Sequence, residues 1–173
     1  MTENVTQPPP EESATPADPD ADRSLTVTVY LRTATSAAGE RRQRRLLEQV
    51  DALQEQSEVP APTVERWSRQ VSVPVPDTAP EDAAAIERYE EFCEAAEAAD
   101  ASLEPFFTER PGGTRLLSAE TRDRVVVFPV ACVAVEAAGD IRGLYPCWRD
   151  GIHHSVEDAL AALSAGEAPT NLA

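Results

Sequence analysis

Lysine is absent: all 15 basic residues of the 173 are arginine. That excludes an ordinary cytosolic surface, where lysine is among the commonest residues. Against those 15 bases stand 31 acids, for a formal net charge of −16. Residues 1–24 carry −5 of it and the remaining 149 residues −11, so the acidity belongs to the folded part as well. A lysine-free, acidic, alanine-rich surface fits a cytoplasm holding multimolar KCl. There the Debye length falls below the ~3 Å of 1 M salt, and like charges on a surface hardly repel. A genome that favours arginine codons gives the same bias, and the two readings are compatible.

Cysteine is scarce. The three (Cys93, Cys132, Cys147) are an odd, unpatterned set, which excludes a disulfide framework. Long apolar runs are missing too. The longest strongly apolar one, Val125–Val135, has eleven residues, the length of a buried core segment and too short to span a bilayer. The N-terminus has no apolar leader. These absences point to a cytoplasmic chain with reduced thiols and no membrane segment. No phosphate-binding glycine loop, dinucleotide fingerprint or Ser-His-Asp order is present, so an enzyme has no residues to rest on and no cofactor is expected. Cys132, Cys147, His153 and His154 are metal-ligating types, but their spacing matches no compact zinc pattern; buried cysteines and a loop histidine pair are the expected reading. No metal site is therefore expected.

What is present reads as one α+β domain over 25–166, behind an acidic, proline-rich tail over 1–24 and before a fraying end over 167–173. The tail has too little apolar surface to offset chain entropy, so disorder is expected there. Leu25–Arg32 alternates, with Leu25, Val27, Val29 and Leu31 on one face of a half-buried strand. Gly39–Gln56 follows as a helix with Leu46, Val50 and Leu53 on its apolar stripe. Thr63–Val73 reads as a strand whose phase slips between Trp67 and Val71, implying a bulge or two short strands. The next helix is capped by Asp77 or Thr78, has Pro80 in its first turn and runs to about Ala99, with Ile86, Tyr89, Cys93 and Ala96 inward. A short helical turn from Ser102 carries Leu103, Phe106 and Phe107. After a turn at 111–113 and a short strand over 114–118, Val125–Glu136 is apolar on both faces, with a bulge demanded by Pro129. A hairpin at 137–140 leads into Ile141–Cys147. Ser155 and Asp158 open the last helix, which buries Val156, Leu160 and Leu163 and ends at Gly166. The order is β-α-β-α-β-β-β-α, an antiparallel or mixed sheet with helices mainly on one face.

Several blocks resemble a family of short haloarchaeal proteins. They are Leu25–Arg32 followed by Gly39 and an arginine-rich helix, then Leu144-Tyr145-Pro146 and Ser155–Leu160. That family is identified as containing a helix-turn-helix domain, and the resemblance covers roughly residues 25–165. It implies a DNA-binding or regulatory role and brings no catalytic residues with it.

Arg41, Arg42, Arg44 and Arg45 put four of the 15 arginines into five positions. They fall early in the helix, where the macrodipole favours acids, while Glu48, Asp51 and Glu55 fall late, where it favours bases. Pairs such as Glu40–Arg44 return only a few tenths of a kcal/mol, about 0.2–0.5 each. Helix stability does not account for this order. Two uses do: phosphate contact with DNA through the planar guanidinium fork, and antiparallel pairing of two copies of the helix across a two-fold axis. A solvated face with weak surface ion pairs is the bland alternative. The leading expectation is a non-enzymatic regulator that binds DNA as a dimer through these four arginines. Its alternatives are a protein–protein or homodimerisation module without nucleic acid, and a small effector-binding domain with a pocket near Tyr145 and Trp148.

Overall fold

The computed structural model describes residues 25–56, 61–77, 79–112 and 124–173. The expected disordered tail and the expected strand over 114–118 lie outside them. The architecture is α+β, built on a four-stranded sheet. Its centre is β1 (Leu25–Arg32), flanked by β2 (Thr63–Trp67) in parallel and by β7 (Ala131–Ala137) antiparallel. β8 (Asp140–Tyr145) completes the order β2-β1-β7-β8.

β1 alternates as expected, with Val27, Val29 and Leu31 on one face, but it is not half-buried. Thr28 and Tyr30 on the opposite face are buried as well, because both sides of the sheet are covered. On the first side lie α1 (Ala37–Gln54) and α3 (Val156–Ser164), joined to the sheet through Leu46, Val50, Leu53, Val156, Leu160 and Leu163. On the second lies α2 (Pro80–Ala98), whose Ile86, Tyr89 and Phe92 pack around Tyr30, Trp67 and Phe128. Two helices thus share one face and the third takes the other.

The phase slip after Trp67 marks a change of sheet. β3 (Gln70–Val73) leaves the central sheet and pairs with β6 (Arg124–Val127), which pairs in turn with β5 (Thr108–Pro111). The single apolar strand expected over 125–136 is likewise two. Proline has no N–H to donate to a ladder, and Pro129 sits in the break between β6 and β7. The chain stays satisfied there by other means: Trp67 Nε1 donates to the Pro129 carbonyl at 3.4 Å, and the Val130 carbonyl accepts from the Arg32 N–H at 3.0 Å.

Three short strands form the remaining sheet, β10-β9-β4: β4 (Ala101–Ser102), β9 (Cys147–Arg149) and β10 (Ile152–His154). The helical turn expected from Ser102 is β4 and a tight turn, with Leu103 and Phe107 inside. The N-cap position of α2 is Ala79, with no side-chain cap, so Asp77 does not cap the helix; Thr78 lies outside the described residues. α3 opens on a full capping box, with Ser155 Oγ accepting from the Asp158 N–H and the Asp158 carboxylate accepting from the Ser155 N–H. It closes at Gly166, whose φ of 74° is the left-handed turn glycine takes readily.

Part of the segment 167–173 lies against β8. The Asn171 side-chain amide donates to the Leu144 carbonyl at 2.9 Å and its oxygen accepts from the Leu144 N–H at 2.8 Å. The Leu172 N–H donates to the Arg142 carbonyl at 3.0 Å. Gly143 permits this approach: a Cβ there would stand 2.1 Å from the Pro169 carbonyl oxygen. No helix among the described residues is long and apolar enough to cross a membrane.

Candidate nucleic-acid interface

α1 is an 18-residue helix with a sharp division of labour. Ser36 caps it by accepting from the Gly39 N–H at 3.2 Å. Gly39, Gln43, Leu46, Val50 and Leu53 turn inward at helical spacing. Gln43 is the polar member of that stripe and is 7% exposed. Its Nε2 donates both to the Arg32 carbonyl at 2.9 Å and to the Val130 carbonyl at 2.8 Å. The middle residue of the Arg-Arg-Gln-Arg-Arg block is therefore a bolt into the sheet.

That bolt fixes where the four arginines go. At 100° per residue, Arg41 and Arg45 fall on the side opposite Gln43 and Arg44 on one flank, and all three are exposed. Among the described residues none of the three forms a salt bridge. Arg42 points sideways to α3, where Nε and Nη2 each donate to the Glu157 carboxylate at 2.9 Å. This fork holds the Glu157 carboxyl below the usual range. Glu48, Asp51 and Glu55 continue the solvent face toward the C-terminal end of α1, all exposed. The face is thus basic in its first half and acidic in its second.

Tyr145 and Trp148 differ in exposure. Tyr145 is 5% exposed and belongs to the core beside α3, which leaves it no free ring face for a ligand; burial pushes its phenol up to about 12. Trp148 lies on β9, 40% exposed, with its ring against His153 at 5.3 Å. His153 also stacks on Phe106 at 5.0 Å, and His154 sets its ring edge against Tyr145. Cys132 and Cys147 are buried free thiols, and Asn171 Nδ2 lies 3.1 Å from Cys147 Sγ. Among the described residues no three His, Cys, Asp or Glu side chains gather as a metal site.

Sequence reasoning missed the polar network around Arg88. Its Nε donates to the Tyr30 hydroxyl at 2.8 Å, Nη1 to Glu91 at 2.6 Å and Nη2 to Glu136. The guanidinium also lies 5.5 Å from the Phe92 ring centroid. Burial works against its charge, but the bonds to Tyr30 and Glu91 outweigh it and hold the proton more firmly than usual. No local signal announces this group. Arg88 and Glu136 are 48 positions apart, and only the packing of α2 across β7 joins them.

Among the described residues each helix is separated from the next by at least one strand, so no two helices joined by a short turn occur there. No characterised protein and no solved structure matches the chain. The family described as a helix-turn-helix domain matches residues 19–168, which is most of the sequence. The match is compatible with a DNA-binding regulatory role, and by its extent the chain belongs to the helix-turn-helix domain family.

Proposed function

We propose that this protein is a non-enzymatic regulator that binds duplex DNA as a dimer, using the exposed basic half of α1. The observation that carries the reading is the fan of Arg41, Arg44 and Arg45, which stand in solvent without acidic partners among the described residues, on a chain of net charge −16. Arginine forks suit phosphate oxygens, and phosphate contacts fix a protein's position on a duplex. Gln43 anchors the helix against the sheet, so binding has to order the arginine side chains but not the backbone that carries them. Arg42 serves α3 and is not a contact residue in this reading.

A second reading is favoured by the acidic half of the same face. Two antiparallel copies of α1 would set Arg41, Arg44 and Arg45 of one against Glu48, Asp51 and Glu55 of the other. Anisotropy of a labelled duplex, with light scattering on the same samples in multimolar KCl, separates the two. Binding by the wild type that is lost in the Arg41→Gln/Arg44→Gln/Arg45→Gln variant at unchanged mass supports DNA contact. A variant of half the wild-type mass, with no DNA binding by either protein, sinks it and leaves the pairing module.

A further inference from the structure

The carboxyl ends of β1 and β2 carry a second pair of arginines, away from the fan. Arg32 is the last residue of β1, and Arg69 lies two residues beyond the end of the parallel strand β2. Together with Ala34, Thr35 and Ser36 they line an open cleft of about 320 Å³. None of these lining residues is acidic. Among the described residues neither arginine forms a salt bridge, although the chain holds two acids for every base. Two guanidinium groups so placed repel each other, and a carboxylate between them would have been the simple remedy.

Arg32 is held but not saturated. Its Nη1 donates to the Phe128 carbonyl at 3.2 Å and its Nη2 reaches Thr35 Oγ1 at a long 3.4 Å. Its Nε is shut off from solvent and has no hydrogen-bond partner among the described residues. A buried donor without a partner costs about 1–3 kcal/mol. Burial, with Arg69 nearby, eases the Arg32 proton below its usual hold. The position also matters. The cleft lies at the carboxyl ends of two parallel strands, and the β1–α1 turn is one of its walls.

We propose that this cleft binds the phosphate group of a small phosphorylated molecule, clamped between Arg32 and Arg69. A dianionic phosphate supplies the charge that the lining lacks and acceptors for the remaining Nη hydrogens of Arg32 and for the Arg69 fork. Thr35 and Ser36 add hydroxyls at the mouth, and the positive end of α1 lies behind them. The concave shape suits a small molecule; a duplex lays its phosphates against convex, projecting side chains such as Arg41, Arg44 and Arg45.

The test is a titration of the full chain with inorganic phosphate at fixed KCl, read from the ¹H–¹⁵N signals of the arginine Nε–H groups. Saturable shifts of the Arg32 and Arg69 signals are expected. Arg69→Gln should weaken them about tenfold, the worth of one charge-assisted hydrogen bond. The Arg41→Gln/Arg44→Gln/Arg45→Gln variant should titrate like the wild type. Should Arg69→Gln not fold, Thr35→Val makes the same test from the other wall. No saturable shift in the wild type, or an unchanged titration in the cleft variant, overturns the proposal. So does displacement of the phosphate by unlabelled duplex, which would assign the cleft to nucleic acid. Loss of DNA binding by the fan variant alone leaves it standing.

Discussion

Arg42 and Glu157, 115 positions apart, form a two-pronged ion pair that ties α1 to α3. Both side chains are nearly half exposed, so solvent screens much of their attraction. A double-mutant cycle with Arg42→Gln and Glu157→Gln should give a coupling below about 1 kcal/mol in dilute salt, shrinking in multimolar KCl. Arg42→Gln should leave duplex affinity near the wild-type value, because this guanidinium is already occupied.

The fan should behave otherwise. Each of Arg41→Gln, Arg44→Gln and Arg45→Gln should lower the slope of log affinity against log salt by about 0.9, the share of one phosphate contact. Anisotropy titrations over a range of KCl concentrations check this; a slope indifferent to all three removes the fan from the interface.

Gln43→Leu should cost about 1–3 kcal/mol of stability. It takes away the donor shared by the Arg32 and Val130 carbonyls in a place water reaches poorly. Chemical denaturation at constant KCl measures it. A change under about 0.3 kcal/mol would mean the helix is held by its apolar stripe alone.

Acid should loosen α3 first. The fork from Arg42 lowers the Glu157 pKa, and hydrogen bonds from the Ser155 hydroxyl and N–H lower that of Asp158. Both carboxyls are more acidic folded than unfolded. Their contribution is therefore complete above about pH 5 and is lost as pH falls through the carboxylate range. Melting temperatures followed from pH 7 to 3 should fall less steeply for Asp158→Asn than for the wild type, from a lower start.

Arg88→Met should cost about 2–4 kcal/mol, since it leaves the Tyr30 hydroxyl and the Glu136 carboxylate unpartnered between α2 and the sheet. Adding Glu136→Leu should return part of that loss, because an apolar pair of similar volume carries no desolvation penalty. A double variant no better than the single one would place the cost in packing.

Periodicity made the helices and β1 legible, because each has one apolar stripe or face at a fixed repeat. α1 carries Leu46, Val50 and Leu53 inward, and the capping pair Ser155 and Asp158 sets the start of α3. What periodicity could not show was a change of sheet within an apolar run. Val125–Glu136 reads as one strand because the residues on both sides of Pro129 are buried, though in different sheets. Phe92 escaped for a related reason: acids surround it in sequence, and only Phe107 and Tyr30 across the fold show that its side of α2 is inside. The four arginines were visible as a block, yet their division was not. It depends on Gln43 pointing inward and on Glu157 lying beside Arg42. The Arg32–Arg69 cleft was invisible, since its halves meet only when β1 and β2 lie parallel.

Asn171 has a consequence for assembly. A strand with one unpaired side invites another chain to add to it. On β8 the Arg142 carbonyl and both backbone groups of Leu144 are already taken, by the Leu172 N–H and by a side-chain amide that mimics a neighbouring backbone. The opposite margin of the sheet, β2, presents Glu65 and Arg66, charges of the kind that discourage strand addition. Among the described residues the four-stranded sheet therefore offers a second copy little invitation at either margin, and contact between copies of this sheet would fall to side chains.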